Sequence, residues 1–211
     1  MSKKPILYYV HDPMCSWCWA FQKVWPKVLS SIKDIAEVHY LVGGLAPDSN
    51  EPMPEEMKST IAGYWKNIQE KVPSTEFNFD FWQKCKPRRS TYPACRAVIA
   101  AKQIDSAKEH LMINAIQHAY YLKAENPSDT DTLIDCAERI GLEKKDFENM
   151  FSSELVNSLF VQQMTHARSM QINGFPSLVR ETTNEISPIY IDYNNADIMI
   201  KQIQQGINHT I

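Results

Sequence analysis

Residues 6–18 read ILYYVHDPMCSWC, and this stretch decides how the chain folds. Its first part, Ile6–Val10, is a continuous apolar run of strand length, which is typical of a central strand buried on both faces. The stretch 6–18 ends in a Cys-x-x-Cys motif, Cys15-Ser16-Trp17-Cys18, and this motif begins five residues after the end of the apolar run. A helical pattern follows, so the motif is predicted to lie where a strand gives way to a helix.

A cysteine at the start of a helix is well placed for thiol chemistry. The backbone N–H groups and the positive end of the helix dipole favour a thiolate at Cys15. Cys18 lies one helical turn further on, where its sulfur can attack a mixed disulfide on Cys15. The motif therefore predicts a nucleophile and a resolving cysteine, with a structural pair or a metal site as alternatives. No metal is expected, because no second Cys-x-x-Cys and no suitably spaced His pair is present.

The segments outside the motif predict an α/β order. Residues 17–35 carry one apolar helical face, and Pro26 is expected to kink that helix. Val38–Val42, closed by Gly43-Gly44, is the second predicted strand. Apolar residues then recur with helical spacing almost throughout residues 54–171. The remaining predicted elements are strands at Ser177–Glu181 and Ile186–Ile191, a hairpin turn at Thr182–Glu185, and a last helix at about Ala196–Gln205.

This order predicts a small mixed sheet with helices on its faces and a large all-helical insertion between its halves. Residues 1–53 and 172–211 are expected to form the discontinuous sheet domain, and residues 54–171 the helical subdomain. The run Asn173–Ser177 stands just before the hairpin. Its proline, Pro176, falls at the first position of a strand, where it owes no ladder hydrogen bond.

Taken together, these motifs resemble the DsbA-like branch of the thioredoxin superfamily. The run His11–Trp19 looks like the active-site signature of its cytoplasmic, FrnE-type members, and the likeness extends over the whole chain. The resemblance implies a thioredoxin-like fold and thiol–disulfide exchange with protein substrates. It implies no bound cofactor, with glutathione considered only as a reducing co-substrate.

The resemblance also assigns roles to particular residues. It makes Cys15 and Cys18 the redox pair, and it places a cis Pro176, preceded by Phe175, as a substrate-binding wall opposite the nucleophilic sulfur. Inside the motif, Ser16 and an exposed Trp17 are expected to contact substrate, whereas Trp19 is expected to pack beneath the helix. Near the motif, His11 and Asp12 are candidates for tuning the thiolate. The other three cysteines, Cys85, Cys95 and Cys136, are interpreted as inert thiols, with a second redox pair of Cys85 and Cys95 as the alternative.

Composition limits the partners and the compartment. The chain has 211 residues, with 22 basic and 25 acidic side chains giving a net charge of −3. No basic stripe suggests nucleic-acid binding, and no run approaches the roughly 18 apolar residues of a membrane span. The first residues lack the apolar stretch of a signal peptide, so a cytoplasmic location is expected, with free thiols. Oligomeric state is left open.

The sequence supports one leading function and two alternatives. The leading one is a protein disulfide reductase or isomerase acting through Cys15 and Cys18. The first alternative is a kappa-type glutathione-dependent transferase or isomerase, a class that normally has Ser where Cys15 stands. The second alternative is a non-enzymatic peptide-binding chaperone module on the same scaffold.

Overall fold

The computed structural model describes residues 4–183 and 185–208. Its sheet contains four strands in the order β2-β1-β3-β4, where β1 pairs in parallel with β2 and antiparallel with β3, and β3 pairs antiparallel with β4. The strand bounds are β1 Ile6–His11, β2 Glu37–Val42, β3 Ser177–Glu181 and β4 Ile186–Ile189. The α/β thioredoxin-like fold with a helical insertion is thereby confirmed.

The apolar run of β1 forms the centre of the sheet because both of its edges are paired. Leu7, Tyr9 and Val10 have no exposed surface. One face of the sheet packs against the helices α2 (Trp25–Ile32) and α10 (Ala196–Asn208). The other face packs against α9 (Glu154–Ser169). Burial on both faces is why β1 is apolar without alternation.

The prediction of one kinked helix over residues 17–35 is wrong. The structure has two helices, α1 (Ser16–Phe21) and α2, separated by a turn in which the N–H of Val24 donates to the carbonyl of Phe21 at 3.1 Å. Pro26 lies in the first turn of α2, where a missing N–H leaves no intrahelical bond unmade. The proline therefore begins a helix instead of bending one.

The block between β2 and β3 is helical, as the sequence predicts. Besides α9, its helices are α3 (Glu55–Lys71), α4 (Phe81–Lys84), α5 (Tyr92–Ile104), α6 (Lys108–Tyr121), α7 (Thr130–Arg139) and α8 (Lys144–Phe151). They surround a large apolar core of their own, whose centre is the alanine-rich α5. Two predicted bounds need correction, since β4 ends at Ile189 instead of Ile191 and α10 runs on to Asn208.

Candidate active site

The two cysteines of the motif occupy different environments at the start of α1. Cys15 is the N-cap residue, and its carbonyl accepts from the N–H of Trp19 at 3.1 Å. The Cys15 residue is 8% exposed, whereas Cys18 is fully buried. Both thiols are free. An external disulfide therefore reaches the sulfur of Cys15 more readily than that of Cys18.

The segment before β3 forms a wall beside Cys15. The thiol of Cys15 donates to the carbonyl oxygen of Phe175 at 3.4 Å, and the Phe175–Pro176 peptide bond is cis. Pairing of β1 with β3 brings these residues together, with Val10 opposite Ser177. The carbonyl of Phe175 is thus held next to the sulfur by the sheet itself.

Gly43 supports this wall, a role that the sequence analysis did not assign. A Cβ placed at Gly43 would lie 2.0 Å from Cε1 of Phe175, so the aromatic ring rests directly on the glycine backbone. The N–H of Gly43 donates to the carbonyl of His11 at 2.7 Å, which continues the pairing of β1 and β2. The sequence signal is the Gly-Gly pair after the second strand, which predicts the end of a strand but not a contact with Phe175.

Asp12 organises the loop that leads into the motif. Its buried carboxylate accepts from the N–H of Met14 at 2.8 Å and from the N–H of Leu45 at 2.7 Å. It also accepts from the hydroxyl of Thr91 at 2.6 Å and from the thiol of Cys95 at 3.6 Å. Burial raises the pKa of Asp12, and these hydrogen bonds oppose the rise. We call these five residues the Asp12 clamp; it joins the active-site loop to the helical insertion.

Cys18 lies on the opposite side of the motif, against the sheet. Burial raises the pKa of its thiol well above the ordinary value, and the neighbouring Cys15 raises it further. A hydrogen bond with the backbone of Asp12 acts in the opposite direction. Cys18 is therefore a neutral thiol at pH 7.

Several buried polar groups near Cys18 have no hydrogen-bond partner. Both ring nitrogens of His11 and the hydroxyls of Tyr9 and Tyr121 are unpaired. Burial lowers the pKa of His11 to about 3, with a further contribution from His110. His11 is therefore a neutral imidazole at pH 7, within 5.2 Å of the Tyr9 ring between centroids.

The residues inside the motif are less open than expected. Ser16 and Trp17 are half-buried. The Trp17 ring packs against Tyr193 at 4.9 Å between centroids, and the ammonium of Lys71 lies 5.8 Å from its centroid. The expectation of an exposed Trp17 is corrected to a ring covered on part of its surface by residues distant in sequence.

Trp19 packs on the helical side, as the sequence analysis expects. Its ring stacks on Tyr121 at 5.6 Å between centroids, and its indole N–H donates to the carbonyl of Glu76 at 2.9 Å. This contact anchors α1 to the insertion.

The remaining cysteines lie in the insertion. Cys95 and Cys136 are fully buried, and Cys95 belongs to the Asp12 clamp. Cys85 is half-buried and donates to the carbonyl of Ala124 at 3.0 Å. All three are free thiols. Within residues 4–183 and 185–208, no group of three or more His, Cys, Asp or Glu residues is placed to hold a metal ion. Over the same residues, the helices are too short or too polar to cross a membrane.

Known proteins share this architecture. The model of the family described as DSBA-like thioredoxin domain matches residues 7–186. Among solved structures, a putative protein disulfide isomerase from Nitrosomonas europaea superposes with a TM-score of 0.87 at 25% identity, covering 99% of this chain and 100% of the other. The cytosolic disulfide reductase DsbM from Pseudomonas aeruginosa superposes with a TM-score of 0.75 at 18% identity, covering 97% and 100%. At that identity the second likeness shows the fold alone.

One curated relative is named as an adapter protein and not as an isomerase or a reductase. The ClpXP adapter protein SpxH of Halalkalibacterium halodurans is 24% identical over 183 residues, which make up 84% of this chain and 59% of the relative. The chain thus spans less than two thirds of that protein's length.

Proposed function

The chain belongs to the family of DSBA-like thioredoxin domains, and from that premise we propose that it is a cytoplasmic disulfide reductase or isomerase acting on protein substrates. The observation that carries the proposal is the environment of Cys15. Its sulfur lies at a helix N-cap, next to the carbonyl of Phe175 at 3.4 Å, with the free thiol of Cys18 one turn behind it.

The chemistry follows from the unequal burial of the two thiols. The Cys15 thiolate attacks a substrate disulfide, forms a mixed disulfide, and expels one substrate sulfur as a thiolate. Cys18 then attacks the Cys15 sulfur, so that the second substrate thiolate leaves and a Cys15–Cys18 disulfide remains. The two electrons that reduce the substrate come from the two cysteines. A small thiol such as glutathione then restores the reduced pair and becomes oxidised itself.

The proposed direction is reduction or isomerisation. Cytosolic glutathione is poised at roughly −220 to −320 mV, and a DsbA-like pair near about −120 mV is almost wholly reduced there. A reduced pair attacks incorrect disulfides and does not donate one.

A trapping experiment tests the proposal. The variant Cys18→Ala should accumulate mixed disulfides between Cys15 and cellular proteins, because the resolving thiol is missing. The matched variant Cys15→Ala should accumulate few, and wild-type protein should catalyse insulin reduction by dithiothreitol. Equal trapping by both variants, or no reductase activity, would contradict the proposal.

Two other functions predict different results. A kappa-type transferase would conjugate glutathione to electrophiles and would not catalyse the reduction of insulin. A peptide-binding function is favoured by the relative named as an adapter, and it predicts that a Cys15→Ser, Cys18→Ser variant still binds its partner and retains its full effect.

A further inference from the structure

A cavity of about 460 Å³ lies between the active-site helix and the helical insertion. One wall comes from α1 and the turn after it, with Trp19, Gln22 and Lys23. The other walls come from α6 and from residues 74–76. Neither Cys15 nor Cys18 lines the cavity. Its volume is in the range of small-molecule sites, which are found preferentially where two parts of a fold meet.

The helix α6 presents a polar face to this cavity. Its lining residues His110, Asn114 and His118 follow each other at intervals of four residues, so they share one side of the helix. The amide nitrogen of Asn114 donates to Nε2 of His110 at 3.1 Å. Burial lowers the pKa of His110, so the imidazole is neutral at pH 7 and carries its proton on Nδ1. That buried N–H has no hydrogen-bond partner in the protein.

Two further lining residues carry unpaired polar atoms. Thr75 is 6% exposed, and its hydroxyl makes no hydrogen bond. The amide nitrogen of Gln22 is buried and unpaired as well. Buried polar groups without partners are rare because each one is unfavourable for folding. Together with Nδ1 of His110, the lining thus holds three donors that lack an acceptor.

Charge and apolar surface narrow the class of ligand. The ammonium of Lys23 supplies a positive charge beside Gln22, and the exposed Glu76 supplies a negative charge on the wall formed by residues 74–76. An acceptor group is therefore expected on the Lys23 side. A carboxylate satisfies several donors next to a cation. The apolar part of the lining comes from Trp19 and Leu122, among others, and suits a compact apolar body.

We propose that this cavity binds a small carboxylate with an aromatic or branched apolar body. The carboxylate accepts hydrogen bonds from the Gln22 amide, the Lys23 ammonium and the Thr75 hydroxyl. The apolar body packs against Trp19 and Leu122. Such a ligand spans α1 and the insertion without contacting the thiols, so its binding is separate from disulfide exchange.

Dansylglycine, a fluorescent carboxylate with an aromatic body, tests the proposal beside dansylamide, which lacks the carboxylate. We expect wild-type protein to bind dansylglycine saturably, with a Kd on the order of 10–100 µM, measured by the increase in dansyl emission. Dansylamide should bind roughly 5- to 20-fold more weakly, because the donors then meet no charged acceptor.

Two variants place the bound carboxylate. Thr75→Val keeps the shape of the side chain and should weaken dansylglycine binding by roughly 3- to 10-fold. Its free energy of unfolding should be equal to or higher than that of wild type, because the hydroxyl is unpaired in the free protein. Lys23→Gln should weaken binding by roughly 2- to 5-fold. The matched control is Lys27→Gln, an exposed lysine that pairs with Asp197 at 2.8 Å and should stay within about 1.5-fold of wild type.

The outcomes separate this inference from the proposed function. Absence of saturable binding, equal affinity for the two dansyl compounds, or unchanged affinity in both Thr75→Val and Lys23→Gln would overturn the inference. So would a loss of stability in Thr75→Val or an equal loss of affinity in Lys27→Gln. Insulin reduction, measured on the same proteins, decides the proposed function independently, because Cys15 and Cys18 lie outside the cavity lining.

Discussion

On the side of the motif that faces the insertion, the carboxylate of Asp12 accepts from four donors, whereas on the side that faces the sheet the ring nitrogens of His11 have no hydrogen-bond partner. The two residues are adjacent in sequence and equally buried. The first side is the Asp12 clamp, and we call the second, formed by Tyr9, His11 and Cys18, the sheet side.

The difference indicates a division of tasks. In the clamp two contacts hold the backbone of the active-site loop and of Leu45, and two join the carboxylate to Thr91 and to Cys95 of α5, so loss of the carboxylate should damage the fold and the site together. On the sheet side the ring nitrogens of His11 and the hydroxyl of Tyr9 make no hydrogen bonds, so the loss of these groups should alter protonation and chemistry while the fold persists. The variants below test that division, in order of decreasing expected effect.

The largest effect is expected from Asp12→Ala. Removing the carboxylate leaves the N–H of Met14 without its acceptor. The N–H of Leu45 keeps only the Thr91 hydroxyl oxygen at 3.1 Å, and the Thr91 hydroxyl keeps only the carbonyl of Ala46 at 3.4 Å. Each buried hydrogen bond lost in this way costs about 1–3 kcal/mol, so we expect the free energy of unfolding at pH 7 to fall by about 2–4 kcal/mol, measured by urea denaturation. Asp12→Asn keeps one acceptor oxygen and should lose less. A loss below about 1 kcal/mol in the alanine variant would show that the clamp does not hold the fold.

A smaller effect is expected from Gly43→Ala. The new methyl group would meet the Phe175 ring at 2.0 Å, so the ring and the carbonyl beside Cys15 must shift. Overpacking of this kind costs about 1–3 kcal/mol of folding free energy. The rate at which Cys15 reacts with Ellman's reagent, 5,5′-dithiobis(2-nitrobenzoate), should also change. The control is Gly63→Ala in α3, where nothing lies within 4 Å of the added methyl group; it should stabilise the helix by about 0.5–1 kcal/mol. If the two variants had the same free energy of unfolding and the same reaction rate at Cys15, Gly43 would not support the active site.

The smallest effect is expected from His11→Leu, and it depends on pH. The pKa of His11 is lowered to about 3 in the folded protein, so the unfolded chain binds the proton first as the pH falls below about 6.5. Wild-type stability should therefore drop between pH 7 and pH 5.5 by about 1 kcal/mol more than that of the variant. Parallel stability curves for the two proteins would mean that His11 is not held neutral in the fold.

The sequence predicts local features of this molecule and misses those that depend on distant neighbours. The apolar run of β1, the helical periods and the Cys-x-x-Cys motif each appear within a few consecutive residues. Two of the donors to Asp12 do not, because Thr91 and Cys95 lie 79 and 83 residues further along the chain. Gly43 becomes informative only once Phe175 is seen to rest on it.

Pro26 shows a different limit. Its apolar neighbours keep helical spacing across the whole segment, and Phe21, Val28 and Ile32 are all buried. The period therefore predicts which face is buried but does not reveal that the backbone breaks. A proline is compatible with a kink inside a helix and with the first turn of a new one, and spacing alone does not distinguish them.

The pairing of β1 with β3 has a consequence for the growing chain. The carbonyl that faces Cys15 comes from a residue 160 positions later, and a ribosome adding about 5–20 residues per second needs roughly 8–30 s to reach it. During that interval the two thiols exist without their wall and without the strand that completes the sheet around them. Any selectivity that the wall provides is therefore acquired only after Phe175 has been synthesised and β3 has paired with β1.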